Sequence, residues 1–391
     1  MNVNNDDHYF YIPQIKRRNQ KAALFKYATM LAIAFSVAFL IFFLVDIVRS
    51  GYPAFVQTYV KMEIQINEEV VENPYGAVGG KHLKIISRAW LRDLPNQIKQ
   101  NPSWMNTTQE FWVLANSEVD QYLKGKESRT SSRDRSIVDE LKEQGKVELK
   151  FNKIFLTTGD SKIPENSGIY SAIIGSIMTM FVTIAIAFPI GVMTAIYLEE
   201  FAPENKLTNI IEVNINNLAA IPSILFGLLG LAIFINFFGV PRSSPLVGGM
   251  TLALMSLPVI IVSAKAALKS VPASIRQAGF GLGLTKWQIV RDHVLPLAMP
   301  GILTGSIISI ARAIGETAPL IIVGMIAFVP DAATSVTDAA TVLPAQIFTW
   351  AGMPEKAYLE RTAAAIVVLL VLLLSMNAVA VFLRKKFERK W

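Results

Sequence analysis

Two charged residues, Arg312 and Glu316, stand in a segment that is otherwise apolar. A charge at the centre of a membrane span is costly, about 2.5–3.5 kcal/mol on insertion scales. The guanidinium of arginine is a planar fork of donors that matches the oxygens of phosphate-like anions. Gly305, Ser309, Arg312 and Glu316 are spaced four, three and four residues apart, which predicts one helical face. We therefore expect Arg312, Glu316 and Ser309 to line a path for an anion.

A structural alternative stays open for the same pair. Because Arg312 and Glu316 are four residues apart, they could neutralise each other and hold a helix bundle together. Arg312 follows Gly301 by eleven residues, about 16 Å along a helix. If a span begins at Gly301, Arg312 is predicted near the middle of the membrane.

The composition is that of an integral membrane protein. Of 391 residues, 52% are hydrophobic and only 17% are charged, against about 25% in an ordinary soluble domain. The net charge of +7 comes from Lys and Arg beside apolar runs, so no nucleic acid is expected as a partner. Cysteine is absent, and the three histidines are scattered at positions 8, 82 and 293. No catalytic residue, metal or cofactor is therefore predicted.

Apolar runs predict an all-α polytopic membrane protein with six transmembrane helices. The first run, Tyr27–Val45, has about 19 residues, which is enough to cross a ~30 Å core and too long for a cleaved signal. The other predicted spans are Ser171–Leu198, Ile210–Phe238, Leu246–Ala264, Gly301–Ala327 and Ala363–Leu383.

The distribution of basic residues predicts the orientation. Six spans put both termini on one side, and both terminal tails are basic. The basic loop Lys265–Met299 falls on that same side, so three segments agree on the cytoplasm. The loop Glu199–Thr208 is acidic and yet falls on the cytoplasmic side, which is tolerable because acidic residues contribute little to orientation.

The predicted order along the chain is a cytoplasmic tail at 1–26, a first transmembrane helix at 27–49, an extracytoplasmic insert at 50–167, and a five-helix core at 168–391 with a cytoplasmic loop at about 265–299. Alternating apolar residues predict strands in Lys61–Val71 and Val147–Phe151 of the insert. Thr107–Lys124 opens with a capping-box pattern and predicts an amphipathic helix. The insert is therefore expected to be a small α+β domain.

The cytoplasmic loop predicts a short pair of helices. Pro272 suits the first turn of a helix, Gly283 fits a position just past a helix end, and Thr285-Lys-Trp-Gln288 fits a capping box. Small residues such as Ala278 and Gly279 would let another chain approach closely. From these residues alone, the pair could dock into a groove of a partner protein or lie on membrane lipid headgroups.

The loop resembles a known motif. Gln277-Ala278-Gly279, then Gly283, then His293-Val294-Leu295-Pro296 is similar to the EAA loop of type I ABC importer permeases. In that family the loop holds the helix that docks into the ATPase subunit. The resemblance implies an ATPase-coupling loop that contains Gln277, Ala278, Gly279, Gly283, Leu295 and Pro296. Gln277 replaces the acid of the motif, Gly279 its second alanine, and His293 its branched apolar residue.

Three further stretches resemble phosphate-importer permeases of the PstA type. They are Ile310–Pro319, Ala219–Leu228 and Leu343–Trp350, and the resemblance covers about Ser167 to the C-terminus but not 50–167. It implies a permease subunit of an ATP-driven phosphate importer in a bacterial inner (plasma) membrane, multi-pass, with cytoplasmic N- and C-termini. The chain itself would hydrolyse nothing, because Gly76–Lys81 has the wrong spacing for a phosphate loop.

The resemblance also implies partners. These are a PstC-type permease subunit, two ATP-binding subunits, a periplasmic phosphate-binding protein and inorganic phosphate. Two other classes of function remain open at this point: an ion-coupled secondary anion transporter, and a membrane sensor with an extracytoplasmic domain.

Overall fold

The computed structural model describes residues 7–326 and 328–387, with side chains described within 15–326 and 328–386. The described chain is mostly helical and carries one small three-stranded sheet. This confirms the predicted α-helical membrane fold with a small α+β insert.

Helix α1 (Asp7–Gly51) is the main element of a compact unit of its own, Met1–Ser50. It is one continuous helix, in which the segment from Ile15 onward is apolar and long enough to cross a membrane. The predicted tail at 1–26 and the predicted span at 27–49 therefore share one helix, and the first six residues of that tail lie outside the described part.

The segment after α1 forms the insert. Its strands are β1 (Val56–Gln65), β2 (Thr108–Leu114) and β3 (Val147–Phe151), which pair antiparallel in the order β2-β1-β3. Its helices are α2 (Glu68–Glu72), α3 (Arg88–Gln100), α4 (Ser117–Leu123), α5 (Ser132–Glu143) and α6 (Lys153–Thr157). Short 3₁₀ turns lie at Tyr52–Phe55, Pro74–Ala77, Pro102–Trp104 and Pro164–Asn166. Leu91, Leu94 and Ile98 of α3, spaced three and four residues apart, are buried against the sheet.

The predicted helix at Thr107–Lys124 is wrong in its first half. Thr108–Leu114 is strand β2, and helix α4 begins only at Ser117, capped by the side chain of Asn116. The β-prone residues of this stretch pair with β1, which overrides the capping-box pattern. Glu110 forms a cross-strand ion pair with Lys61 at 2.5 Å instead of capping a helix.

The membrane helices follow in chain order. They are α7 (Tyr170–Ile196), α8 (Lys206–Leu218), α9 (Ser223–Leu229), α10 (Pro245–Lys269), α11 (Ala273–Gly281), α12 (Lys286–Ile289), α13 (Leu295–Ile314), α14 (Ala318–Ile322), α15 (Leu343–Ala351) and α16 (Ala357–Phe387), of which α11 and α12 form the short loop pair. Single π-helical segments extend α7 (Tyr197–Phe201), α9 (Gly230–Phe237) and α12 (Val290–Val294). Within the described residues, five helices are long and apolar enough to cross a membrane, and a sixth crossing results if one bent pair is counted.

Small residues set the distances within the bundle. A Cβ atom built on Gly249 of α10 would lie 2.5 Å from Val182 Cβ of α7. A Cβ atom on Gly305 of α13 would overlap Ser263 of α10. Helix α10 is therefore held between α7 and α13 at distances that larger residues would not allow.

The predicted span Ile210–Phe238 is wrong as a single helix. Helices α8 and α9 meet at an angle of 108°, and the break lies at Ala219–Pro222. Pro222 is extended (φ −56°, ψ 136°) and lacks an N–H group, so the first helix cannot continue through it.

The predicted span Gly301–Ala327 is also displaced. The helix runs without interruption from Lys286 to Ile314, and its last turn carries Arg312. The chain then turns at Gly315 and starts the short helix α14. Position 327, the end of the predicted span, lies outside the described residues.

A buried network of ion pairs joins the insert to the start of α16. The Lys124 ammonium lies 2.6 Å from Asp120 Oδ2 and 2.9 Å from Glu360 Oε1, and it also donates to two backbone carbonyls. Glu360 accepts a second lysine bond from Lys126 at 2.8 Å. The side chains of Lys124 and Glu360 are only 6% and 2% exposed, so their charges depend on each other.

Arg361 extends this network towards the first turn of α7. Its side chain is buried, and its Nε donates to the carbonyl of Ser167 at 3.4 Å. The carboxylates of Asp120, Glu360 and Glu165 offset part of the cost of burying its charge. Burial raises the pKa of the Glu165 carboxyl, while nearby Arg361 and hydrogen bonds act in the opposite direction. The insert and the adjoining end of the bundle are therefore one packed body.

We predict that Lys124→Met lowers the free energy of unfolding by about 3–5 kcal/mol, because it leaves the Asp120 and Glu360 carboxylates buried without their shared cation. Denaturant unfolding of the purified protein measures this loss. Lys81→Met, at an exposed position of the insert, is the matched control. Equal losses for the two variants would contradict the prediction.

Candidate functional site

Arg312 lies on an open surface of the bundle. Its side chain is 59% exposed, and its Nε lies 3.3 Å from Glu316 Oε1, whose side chain is 18% exposed. Within the described residues, the two terminal guanidinium nitrogens of Arg312 make no hydrogen bond. Glu316 follows the end of α13, so the pair is joined across the turn at Gly315. The arrangement leaves the free edge of the fork available to an anion.

Contacts between α13 and α10 locate Arg312 along the bundle. Gly301 lies against Ala267, Gly305 against Ser263, and Ser309 against Ser256, so the two helices run antiparallel. Arg312 lies one further turn along α13, which places it at the level of about residue 252 of α10. That level is about 10 Å from the N-terminal end of α10, which begins at Pro245. Arg312 therefore lies within the depth of the bundle, nearer to the insert side than the middle position predicted from a start at Gly301.

Ser309 takes another direction. It is buried, and its hydroxyl donates to the carbonyl of Ser256 at 3.3 Å. Gly305, the other member of the predicted face, is buried in the same contact with α10. In this structure, Arg312 and Glu316 are therefore brought together, whereas Ser309 lies in a helix contact and not on the Arg312 surface.

The break between α8 and α9 is sharper than the helix bend that Pro222 indicates in the sequence. Ala219, Ala220 and Pro222 are exposed, and α9 begins without any side-chain cap. No residue of α8 is buried, although its chain continues into the apolar packing around Ile221. The proline at 222, after three hydrophobic residues, was the signal that could have revealed the break.

The predicted loop residues form a compact pair of helices. Gly283 has φ +78°, and its N–H donates to the carbonyl of Phe280 at 2.9 Å, while Leu284 donates to the carbonyl of Gly279 at 3.1 Å. This is the glycine-dependent end of a helix that the sequence predicts for α11. The capping box of Thr285 and Gln288 is present at the start of α12.

The loop residues divide into buried and exposed groups. Gly279 is buried, and a Cβ atom there would lie 2.6 Å from Ile289 Cγ1. Gln277 and Ala278 are exposed on the outer side of the same helix. Leu295 and Pro296 form the first turn of α13, which is continuous with α12, so the second helix of the pair does not end at Pro296. The loop between membrane helices is therefore shorter than the predicted 265–299.

Three large apolar side chains project from this pair of helices. Phe280 and Trp287 are each 55% exposed and Leu282 is 80% exposed. Such a cluster, next to exposed Gln277 and Ala278, is typical of a protein-docking surface.

Two neighbouring carboxylates join the loop to the bundle. In the π-helical turn that ends α7, Glu200 is buried and lies 2.5 Å from Arg276 Nη2 of α11. Glu199 faces the other way and lies 3.9 Å from Lys265 Nζ of α10. Lys265 also forms an ion pair with Glu212 of α8. The acidic residues that gave no orientation signal thus connect α11, α10 and α8 through one turn.

The described residues contain no group of three or more His, Cys, Asp or Glu side chains placed to hold a metal ion.

We predict that Gly279→Val destabilises the purified subunit by about 1–3 kcal/mol, because its side chain would overlap Ile289 and push α11 away from α12. Gly281→Val is the matched control, since a Cβ atom at that position has no neighbour within 4 Å. Thermal unfolding of the subunit without partners measures both variants. The prediction fails if the two melt at the same temperature.

The chain is similar to known membrane transport proteins. The sequence model of a family described as "Binding-protein-dependent transport system inner membrane component" matches residues 187–390, which is more than half of the chain. A second model, described as a domain of unknown function (DUF3333), matches residues 13–77 and 79–133. The second match covers most of α1 and much of the insert.

Curated relatives match the core. The probable ABC transporter permease protein YqgI of Bacillus subtilis (strain 168) is 35% identical over 168 residues, which are 43% of this chain and 56% of that protein. The phosphate transport system permease protein PstA 1 of Mycobacterium tuberculosis (strain CDC 1551 / Oshkosh) is 32% identical over 225 residues, which are 57% of this chain and 73% of that protein. Among solved structures, the MetNI methionine ABC transporter in inward-facing conformations has a chain that is 20% identical, with a TM-score of 0.46, covering 56% of this chain and 98% of that one.

The resemblance to ABC importer permeases of the PstA type, first indicated by the loop and by Ile310–Pro319, is thus confirmed by the family match and by these relatives. The chain belongs to the family of binding-protein-dependent transport system inner membrane components, the permeases of ABC importers.

Proposed function

We propose that this chain is the PstA-type permease subunit of an ATP-driven phosphate importer, and that Arg312 contacts the transported anion. The observation that carries the proposal is the open guanidinium of Arg312 within the depth of the bundle. The name of the Mycobacterium tuberculosis relative supplies the substrate, phosphate. Glu316 remains a proposed member of the path as the group that orients Arg312, whereas burial of Ser309 against α10 in this structure gives Ser309 no support for that role.

The energetics of Arg312 favour a water-filled path. A guanidinium facing lipid at this depth is costly, and one partially exposed carboxylate offsets only part of that cost. In water, an ion pair as exposed as Arg312–Glu316 contributes about 0–1 kcal/mol to stability. A purely structural role for the pair therefore gives little benefit, whereas an aqueous path solvates the charge and offers it to phosphate.

The open break at Ala219–Pro222 supports a second permease subunit. Irregular backbone at membrane depth is tolerated only where protein covers it or where it lines a water-filled cavity. Since residues 219, 220 and 222 are exposed in the single chain, a PstC-type subunit covering this face would satisfy that requirement. The path would then run between the two permease subunits.

The loop pair supports docking to an ATPase. Phe280, Leu282 and Trp287 offer apolar contacts, and Gln277 and Ala278 lie beside them. With two permease subunits there would be two ATP-binding subunits, and a periplasmic phosphate-binding protein would deliver phosphate from the other side. In this arrangement the chain is not an enzyme, because ATP is bound and hydrolysed only by its partners. The chain would lie in the bacterial inner membrane with both termini in the cytoplasm.

The ion pairs at the end of α7 give a route for coupling. Movement of α11 on its ATPase would act on Glu200 through Arg276, and the same π-helical turn holds α10 and α8 through Glu199 and Lys265. Because α8 leads into the break at Ala219–Pro222, this route joins the docking surface to the proposed path.

We predict that Arg312→Ala reduces phosphate uptake at least 100-fold in proteoliposomes that contain the complete transporter, because two strong hydrogen bonds to the anion are lost. Complex assembly should remain normal, as measured by co-purification of the ATPase subunits. Arg88→Ala, at an exposed position of the insert, is the control and should transport normally. Loss of assembly in Arg312→Ala would favour the structural ion pair.

The same liposomes test the class of transporter. Uptake should require ATP on the side of the liposome membrane where the ATPase subunits lie. It should persist without a proton or sodium gradient. Dependence on the gradient would indicate an ion-coupled secondary transporter, and partner binding without any uptake would indicate a sensor.

We predict that Glu200→Gln lowers phosphate uptake per ATP hydrolysed about tenfold, because Arg276 loses its ionised partner and the movement of α11 no longer reaches α8. The exchange Glu200→Arg with Arg276→Glu should restore part of the ratio. Glu204→Gln, an exposed carboxylate of the same loop, is the matched control. Uptake and ATP hydrolysis that fall in proportion would refute a coupling role.

A further inference from the structure

A cavity of about 700 Å³ lies on the insert, where it meets the loop before α16. Four of the side chains in its wall are cationic and one is anionic: Lys126, Arg129, Arg135 and Lys356, against Glu127. Small-molecule sites commonly have volumes of about 300–1,000 Å³. The size and charge of this cavity are therefore those of an anion site.

Two of the cations are held in place by the fold. Arg135 Nε donates to the carbonyl of Thr130 at 3.1 Å and its Nη2 to the carbonyl of Ser128 at 3.2 Å. Its guanidinium also lies 5.1 Å from the centre of the Tyr122 ring. Lys126 is held at 2.8 Å by Glu360, which belongs to the buried network at the start of α16. The positive wall is thus preorganised, and less entropy is lost when an anion binds.

The remaining charges leave one strong donor free. Lys356 forms an ion pair with Glu127 across the cavity rim. The nearby Glu118 carboxylate accepts the backbone N–H of Arg129 at 2.6 Å, and Asp139 accepts the Tyr122 hydroxyl at 2.9 Å. In the described part of the chain, the Arg129 guanidinium has neither an ion pair nor a hydrogen bond. Its planar fork is therefore available for two hydrogen bonds to an oxyanion.

The position of the cavity relates it to transport. Lys126 and Lys356 place it at the start of α16, at the end of the bundle that carries the insert, whereas the ATPase-docking loop lies at the opposite end. A substrate arriving from the insert side would reach this cavity before it reaches Arg312.

We propose that this cavity binds a small oxyanion, inorganic phosphate in this protein, through Arg129 with Arg135, Lys126 and Lys356. The identity of the anion rests on the proposed function, whereas the oxyanion chemistry rests on the wall of the cavity alone. The site would hold phosphate near the entrance of the path between its release from the binding protein and its passage to Arg312. A concave wall with four cations, of which Lys126 and Lys356 are already paired with carboxylates, favours a small anion over a flat acidic protein surface.

Protection of arginine from chemical modification tests this site in the intact complex. The resting transporter, purified in detergent without ATP, is treated with phenylglyoxal, and modified peptides are quantified by mass spectrometry. Millimolar phosphate should slow modification of Arg129 at least fivefold relative to chloride at equal ionic strength, and sulfate should act similarly. Arg88, exposed elsewhere on the insert, is the internal control and should show no protection.

A variant makes the test quantitative. Lys356→Gln removes a partly exposed cation and should raise the phosphate concentration for half-protection about fivefold, a change typical of one exposed charge pair. No protection by phosphate would overturn the proposal. So would protection only by the binding protein, which would indicate protein docking, or protection by anionic lipid nanodiscs without added phosphate, which would indicate a headgroup site. Each of these results leaves the test of Arg312 unaffected, so failure here is distinct from failure of the proposed transport function.

Discussion

The architecture depends on one constraint: charge and unpaired backbone within a membrane must be neutralised, covered or hydrated. The chain meets this constraint in two different ways. At the junction of insert and bundle, Lys124, Glu360 and Arg361 are buried among complementary groups. At Arg312 and at the break before Pro222, charge and backbone are left open.

The contrast separates buried structural charges from Arg312, whose charge is proposed to act in transport. A network in which each buried ion has several partners fixes one arrangement, and it makes the insert a rigid extension of the bundle. Arg312, whose one partner in the described residues is the partially exposed Glu316, still has guanidinium nitrogens available for further hydrogen bonds. The exposed charge of Arg312 and the exposed backbone at Ala219–Pro222 each require a second protein chain or water beside them. This is consistent with a subunit that is incomplete alone.

The helix packing explains how movement could be transmitted. Gly249 and Gly305 bring α10 into close contact with α7 and α13, so these helices have little freedom to slide independently. The π-helical turn at Tyr197–Phe201 contacts α11 through Glu200 and α10 through Glu199, whose partner Lys265 also pairs with Glu212 of α8. π-helical turns are frequent at functional sites, and in this one Glu199 and Glu200 contact different partners.

The sequence alone determined the membrane class, four of the apolar spans in outline, the end of α11, the start of α12 and the family resemblance, because each depends on local periodicity, capping residues or short motifs. The local spacing of Arg312 and Glu316 also left an ion pair open as one alternative, and the structure contains that pair. Tertiary structure decided what depends on distant partners: Thr108–Leu114 became a strand because β1 lies beside it, and Ser309 turned to Ser256 because α10 packs there. The roles of Glu199 and Glu200 emerged only from the fold, since their partners Lys265 and Arg276 lie more than sixty residues away. Long-range charge pairing leaves no periodic trace along a chain, so only the packed helices could reveal it.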